Sequence, residues 1–166
     1  MATPGRGERP VRPSVLDRLI DEEPRAAADP PRDWEQSVVE YRQGVLRDLE
    51  WLLNTRRNIQ EVPEDLPELR ASVFTYGPPD ISSLSGDTDT TRLRLKRQIE
   101  ELIRLFEPRL TGVRVSLGDE GKESRKIRFQ VEGLLRMDPD PERVKFDTVL
   151  EIASGTFVVN TGGGRA

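Results

Sequence analysis

The spacing of apolar residues predicts a long amphipathic helix over residues 34–57. Apolar positions recur there every three or four residues, and charged residues occupy the other side. The apolar stripe consists of Trp34, Val38, Tyr41, Val45, Leu49, Leu52 and Leu53. Glycine weakens a helix interior by about 1 kcal/mol relative to alanine, so we expect Gly44 to mark the close approach of a neighbouring backbone. We interpret the stripe as core rather than as a binding surface.

The same spacing predicts a second long helix over residues 92–106. Side chains within residues 87–91 can cap its N terminus. Its C terminus is set by Pro108, because proline cannot continue a helix and disfavours helical dihedral angles at the preceding Glu107. The predicted apolar face consists of Leu95, Ile99, Leu102, Ile103 and Phe106.

Residues 58–87 connect the two helices and carry a weaker pattern. A helical segment is predicted over residues 68–74, and residues 76–86 have the composition of turns. We expect this long loop to be a connector pinned by Tyr76, Ile81 and Leu84. A phosphate-binding loop is excluded, because the glycines lie far apart and no Gly-Lys-Ser/Thr follows them.

From Gly112 onward the apolar period changes from 3.6 to two, which indicates strands. Alternation over residues 113–117 and 127–131 predicts the first two strands, and residues 156–160 predict a short fourth one. One face of the third strand is expected to carry Val144, Phe146, Thr148, Leu150 and Ile152. The prediction is an α+β fold, in which two long amphipathic helices pack on a C-terminal antiparallel meander of three to four strands.

Composition divides the chain into a leader, a body and a tail. Residues 1–33 hold six of the 13 prolines and predict a flexible leader, residues 34–160 a single α+β domain, and residues 161–166 a loose tail. Within the leader, Ser14 can cap a short helix over residues 14–21. Its apolar stripe is Val15, Leu16, Leu19 and Ile20. This helix either packs on its own domain or docks into a groove of a partner.

Missing residue types and net charge restrict the chemistry. The chain has no cysteine and no histidine, which excludes Ser-His and Cys-His nucleophiles, disulfides and zinc sites built from nitrogen and sulfur ligands. With 26 Lys+Arg against 30 Asp+Glu, the net charge of −4 argues against duplex nucleic acid as a partner. No apolar run approaches the roughly 20 residues that cross a bilayer. We expect a cytoplasmic protein without metal, cofactor or membrane insertion.

Glu107, Pro108 and Arg109 form the one compact polar group beside an element boundary. They either end a helix with the arginine turned outward, or present an arginine held by proline that binds a partner's carboxylate or backbone. A glycoside hydrolase using Glu107 is a further alternative, but it needs a second carboxylate about 5 to 9.5 Å away, and the sequence indicates none. The turn at residues 138–142 lacks the ligand pattern of a calcium loop.

The last predicted strand offers a different kind of site. A meander leaves two edges with unpaired backbone groups, and such an edge can accept a strand from a partner. The residues concerned are Thr156, Phe157, Val158 and Val159. The alternative is that Phe157 and Val159 complete the core.

The order of these elements resembles a known family. The resemblance rests on three short segments: Arg-Pro-Ser-Val-Leu-Asp-Arg-Leu at residues 12–19, Tyr-Gly-Pro-Pro-Asp at 76–80 and Phe-Glu-Pro-Arg-Leu at 106–110. They are similar to the TssE family of type VI secretion baseplate subunits, which belongs with the wedge protein of contractile-phage baseplates. The resemblance spans residues 12–159, with Pro78 where the family form has Leu or Ile.

The resemblance implies a non-enzymatic subunit of a cytoplasmic, six-fold baseplate that docks on a membrane complex, carries the contractile sheath and needs no cofactor. Glu107, Pro108 and Arg109 would link it to other baseplate subunits. The terminal strands would seed the first sheath ring by strand exchange. Val15, Leu16, Leu19 and Ile20 would dock the leader on partner helices. The "lysozyme-like" label given to some relatives corresponds to the hydrolase alternative.

Overall fold

The computed structural model describes residues 10–20, 24–25, 33–58, 60, 62–63, 65–79, 89–118, 126–138 and 140–162. The helices are α1 (Val15–Leu19), α2 (Trp34–Asn54), α3 (Pro67–Arg70), a 3₁₀ turn (Val73–Thr75) and α4 (Asp89–Phe106). The strands are β1 (Leu110–Leu117), β2 (Lys126–Leu135), β3 (Glu142–Glu151) and β4 (Thr156–Thr161). The predicted α+β class is confirmed. Several predicted features lie outside the described residues: the anchors Ile81 and Leu84, most of the leader, and the tail from residue 163.

The four strands form an antiparallel sheet in the order β1-β2-β3-β4. The pair Val131–Phe146 marks the register of β2 against β3, and the pair Leu150–Phe157 marks that of β3 against β4. β1 contains a bulge at Gly112, whose φ of 62° is a left-handed conformation that favours glycine. The bulge shifts the alternation by one residue, so Leu110 on one side and Val113 on the other both face the core.

Both long helices cover the same face of the sheet, with α4 against β1 and α2 against β4. Their apolar stripes meet the inner face of the strands from Tyr41 to Leu53 on α2 and from Leu95 to Phe106 on α4. The predicted stripe was wrong at the start of α2, where Trp34 and Val38 lie outside the core cluster. The most deeply buried side chains include Val45, Leu49, Leu95, Ile99, Ile103, Val113, Leu135, Phe146, Leu150 and Phe157. No helix in the described ranges is long and apolar enough to cross a membrane.

Some predicted boundaries were wrong. α2 ends at Asn54 rather than at residue 57, because Thr55 is extended and the side chain of Asn54 turns to β4. The helix predicted over residues 68–74 divides into α3 and the 3₁₀ turn, since Ser72 accepts a hydrogen bond from Phe74 N at 3.2 Å and caps the second piece. Ile152 lies in the turn after β3 and is 39% exposed, so it does not extend the apolar face.

Candidate functional site

Glu107, Pro108 and Arg109 form the tight turn that joins α4 to β1. The amide of Glu107 still donates to Ile103 O at 2.8 Å, and Leu110 N donates to Glu107 O at 3.1 Å. The Glu107 side chain is nearly buried, although it carries a carboxylate. The turn thus directs an acidic side chain inward where the helix ends and the sheet begins.

Arg109 folds back on this carboxylate instead of turning outward. Its backbone N and its Nε donate to Glu107 Oε1 at 3.2 and 2.6 Å, and its Nη2 donates to Glu107 Oε2. The side chain is only 18% exposed. The interpretation of an outward-facing arginine was therefore wrong, because the nearest acceptor is two residues away in the same turn.

A second carboxylate, that of Asp48 on α2, completes the site. Arg109 Nη2 donates to Asp48 Oδ2 at 2.5 Å. Burial disfavours the arginine cation, but the hydrogen bonds and charges of Glu107 and Asp48 outweigh it, so the pKa of Arg109 is raised. Arg109 Nη1 is buried and has no hydrogen-bond partner among the described residues. The site therefore consists of a firmly held cation with one unused donor group.

Three of the motifs quoted above meet at this site. A pocket of about 330 Å³ is lined by Leu16 of the leader, Asp48, Trp51, Leu52, Tyr76, Phe106, Glu107, Pro108 and Arg109. Tyr76 packs edge-on against Phe106, with ring centroids 5.2 Å apart. Gly77 has a φ of 107°, and a Cβ there would lie 2.1 Å from Thr55 O, so only glycine fits beside the tyrosine.

The leader helix α1 lies on its own domain, but its polar side makes the contact. Ser14 and Asp17 form a capping box, and Asp17 Oδ1 accepts from Arg47 Nη2 on α2 at 2.7 Å. Val11 is buried, and its amide donates to Ser37 Oγ at 2.8 Å. The apolar stripe of Val15, Leu16, Leu19 and Ile20 stays largely exposed, and Leu19 reaches 77%.

Gly44 is required by this contact in a way that the sequence did not indicate. A Cβ at residue 44 would lie 3.1 Å from the Asp17 carboxylate, so the close neighbour is a side chain of the leader rather than a backbone. Burial opposes ionisation of Asp17, but hydrogen bonds from Ser14 and Arg47 outweigh it and lower the pKa of the carboxyl. The leader therefore docks through an ionised side chain in a notch on α2.

The two edges of the sheet differ. Along β1, Val115 N donates to Glu100 Oε1 at 2.7 Å and Arg104 Nη2 donates to Val113 O at 3.0 Å, so α4 covers that edge. On β4, Phe157 N donates to Asn54 Oδ1 at 2.9 Å and Asn54 Nδ2 donates to Phe157 O at 2.8 Å. One amide side chain thus takes the place of a neighbouring strand at Phe157.

Beyond Phe157 the edge of β4 is open in the described part of the chain. Backbone groups alternate in direction along an antiparallel strand, so those of Val159 and Thr161 point outward like those of Phe157. The side chains of Phe157 and Val159 are buried, whereas Thr156 and Val158 are exposed. The core alternative and the edge alternative are therefore compatible, since the first concerns side chains and the second concerns the backbone.

The site is a poor match to glycoside hydrolysis. Glu107 and Asp48 accept from the same Nη2, so the second carboxylate that the sequence did not indicate is close by. However, Arg109 occupies both oxygens of Glu107, whereas a general acid needs a carboxyl oxygen free to face the glycosidic bond. No group of acidic residues in the described ranges is arranged to hold a metal ion.

A known protein family matches the middle of the chain. The family model described as "Baseplate wedge protein gp25" matches residues 39–140, which is more than half of the 166 residues. The matched interval contains Asp48, Tyr76 and the turn from Glu107 to Arg109, and excludes α1, β3 and β4. No curated protein matches the chain.

Proposed function

The chain belongs to the baseplate wedge protein gp25 family, and we propose that it serves as the wedge subunit of a type VI secretion baseplate in the cytoplasm. The family is one of structural baseplate components, so contact with other baseplate proteins follows from membership. The secretion-system assignment is supported by the leader and loop motifs, which resemble the TssE family. In this role the protein works by binding and not by catalysis.

The observation that carries the proposal is the Arg109 site. A buried N–H without an acceptor costs roughly 1–3 kcal/mol, so a partner that supplies an oxygen to Arg109 Nη1 gains a charge-assisted hydrogen bond that the free protein lacks. The adjoining pocket offers apolar walls beside that donor. We therefore assign Glu107, Pro108 and Arg109 to the binding of a baseplate partner through a carboxylate or a backbone carbonyl.

The sheath-contacting element is proposed to be the outer edge of β4. A strand of a sheath subunit pairs with the outward backbone groups of Val159 and Thr161, while Thr156 and Val158 flank the approach. β1 is the less suitable edge, since Glu100 and Arg104 already occupy its outward groups. Strand pairing would fix the register of the first sheath ring, so that polymerisation starts on the baseplate.

The exposed stripe of α1 is proposed as a second docking surface, this one for partner helices. Val15 and Leu19 are 65% and 77% exposed, which is unusual for two apolar residues on one short helix. Because the polar side of α1 already contacts α2, the stripe can be covered without releasing the leader.

The sheath role is tested by a proline at the open edge. Thr161→Pro removes one outward N–H and leaves the pairing with β3, whereas Thr161→Ala keeps that N–H and is the matched control. In native cells we expect tagged wild type and Thr161→Ala to recover both baseplate and sheath proteins, and Thr161→Pro to lose only the sheath. Equal sheath recovery in all three would refute strand pairing at this edge.

The hydrolase alternative is tested separately with purified cell wall. We expect no lytic activity from the wild type, because Arg109 occupies both carboxylate oxygens of Glu107. Lysis that disappears in Glu107→Gln would instead support an enzyme.

A further inference from the structure

Five charged side chains of alternating sign connect the leader helix to the Arg109 site. Asp17 Oδ1 accepts from Arg47 Nη2 at 2.7 Å, and Arg47 Nε and Nη2 donate to Asp48 Oδ1 at 3.0 and 2.8 Å. Asp48 Oδ2 accepts from Arg109 Nη2 at 2.5 Å, and Arg109 in turn holds Glu107. The chain of contacts runs without a gap from the α1 helix to the turn between α4 and β1.

Asp48 is the link between the two halves. Its Oδ1 accepts from Arg47 and its Oδ2 accepts from Arg109, so a rotation of this one carboxylate changes both contacts. These side chains are at most 28% exposed, so solvent screens their interactions less than those of a surface ion pair. Trp51, over which the Arg47 guanidinium stacks at 4.9 Å, also lines the pocket beside Arg109.

We propose that Asp48 couples the docking of the leader helix to the position of Arg109, so that α1 regulates the partner-binding site. With α1 docked, Asp17 shares Arg47 and leaves the second oxygen of Asp48 for Arg109. With α1 released, Arg47 keeps only Asp48, draws that carboxylate toward itself and loosens the hold on Arg109. Asp48 is thus a positioning residue that acts through Arg109.

The direction of coupling follows from reciprocity. If docking of α1 orders Arg109, then a partner oxygen that holds Arg109 must favour docking of α1 by the same factor. That a partner binds Arg109 at all rests on the proposed function. The coupling itself is a property of the isolated chain and can be measured without any partner.

The test uses two readouts on the full-length protein. Trypsin cleavage at Arg18 reports release of α1, and the Nε–H resonance of Arg109 reports its hydrogen bond to Glu107. Asp17→Asn is expected to speed solvent exchange of the Arg109 Nε–H about fivefold, and Arg109→Lys to speed cleavage at Arg18 about fivefold, the lower end of typical coupling between sites. In an Asp48→Asn background, neither Asp17→Asn nor Arg109→Lys is expected to speed its readout further.

Glu142→Gln is the matched control, because Glu142 pairs with Arg42 of α2 outside this chain of contacts, and it should move neither readout. Asp17→Glu, which keeps the charge, should restore slow exchange at Arg109. Additive effects of the Asp17 and Arg109 variants, or no response at Arg109 to Asp17→Asn, would overturn the proposal. Intact coupling together with baseplate binding that is insensitive to Arg109 would refute the proposed function and leave the coupling standing.

Discussion

Replacing Arg109 by alanine is predicted to destabilise the fold as well as to weaken binding. Glu107 is only 4% exposed, and three of its hydrogen bonds come from Arg109. Breaking a buried ion pair on one side costs about 3–5 kcal/mol, and partial exposure of Arg109 places the expected loss at the lower end, about 3 kcal/mol. The backbone N–H of residue 109 remains to donate to Glu107, which limits the loss further.

Urea unfolding followed by circular dichroism measures this loss directly. Arg109→Lys keeps the cation but not the fork that reaches Glu107 and Asp48, so a smaller loss of about 1–2 kcal/mol is expected. Arg114→Ala, on the exposed face of β1, is the control and should change stability by less than about 0.5 kcal/mol. If Arg109→Ala unfolds within that range of wild type, the assigned ion pair is not structural.

Four further predictions concern the leader and the sheet. Gly44→Ala should stabilise α2 by up to about 1 kcal/mol but displace Asp17. Hydrogen exchange of the α1 amides should therefore become faster, whereas global unfolding should not. Because the pKa of Asp17 is lowered in the folded protein, α1 docking should persist above about pH 4 and be lost as pH falls through the folded-state value; a flat NMR pH titration of α1 would contradict this. Asn54→Ala should lower the free energy of unfolding in urea by about 1–3 kcal/mol. Because the substitution frees the backbone of β4, it should also increase self-association in ultracentrifugation, and a variant that stays monomeric would contradict strand pairing at that edge. Thr148→Val should stabilise the protein by about 1 kcal/mol, since the Thr148 hydroxyl is buried without a partner among the described residues. A lower melting temperature of the variant would indicate that the hydroxyl does have a hydrogen-bond partner.

The fold was largely predictable because it depends on periodic patterns. The stripes of α2 and α4 and the alternation in β2 and β3 each place apolar residues on one side, and burial follows those patterns. The prediction failed at local exceptions to the period. Leu110 reaches the core only because the bulge at Gly112 shifts the alternation, and Ile152 leaves the core face because β3 ends at Glu151.

The candidate site was only partly predictable. Glu107, Pro108 and Arg109 were recognisable as a group because they are adjacent in the sequence. Asp48 and Asn54 were not recognisable. Asp48 lies on the polar side of α2, and its partner Arg109 is 61 residues away. Asn54 lies at the end of α2, and its partner Phe157 is 103 residues away. Local patterns contain no information on which of many surface carboxylates and amides meets a distant partner.

The same reason explains the leader. The apolar stripe of α1 suggested that its apolar side makes the contact, but the observed contact uses Asp17, whose notch on α2 exists only because residue 44 is glycine. A glycine in the middle of a predicted helix did signal a close neighbour. The spacing gave no means of identifying that neighbour as a side chain of the leader.

The central claim is that the Arg109 site holds the protein in a baseplate. The most direct test is quantitative recovery of baseplate proteins from native cells with tagged wild type, Arg109→Lys and Arg114→Lys, after circular dichroism has shown that all three are folded. We predict that Arg109→Lys recovers at least about tenfold less of the baseplate proteins, corresponding to the loss of about 1.4 kcal/mol or more of binding free energy, while Arg114→Lys matches wild type. Equal recovery by all three proteins would contradict the account.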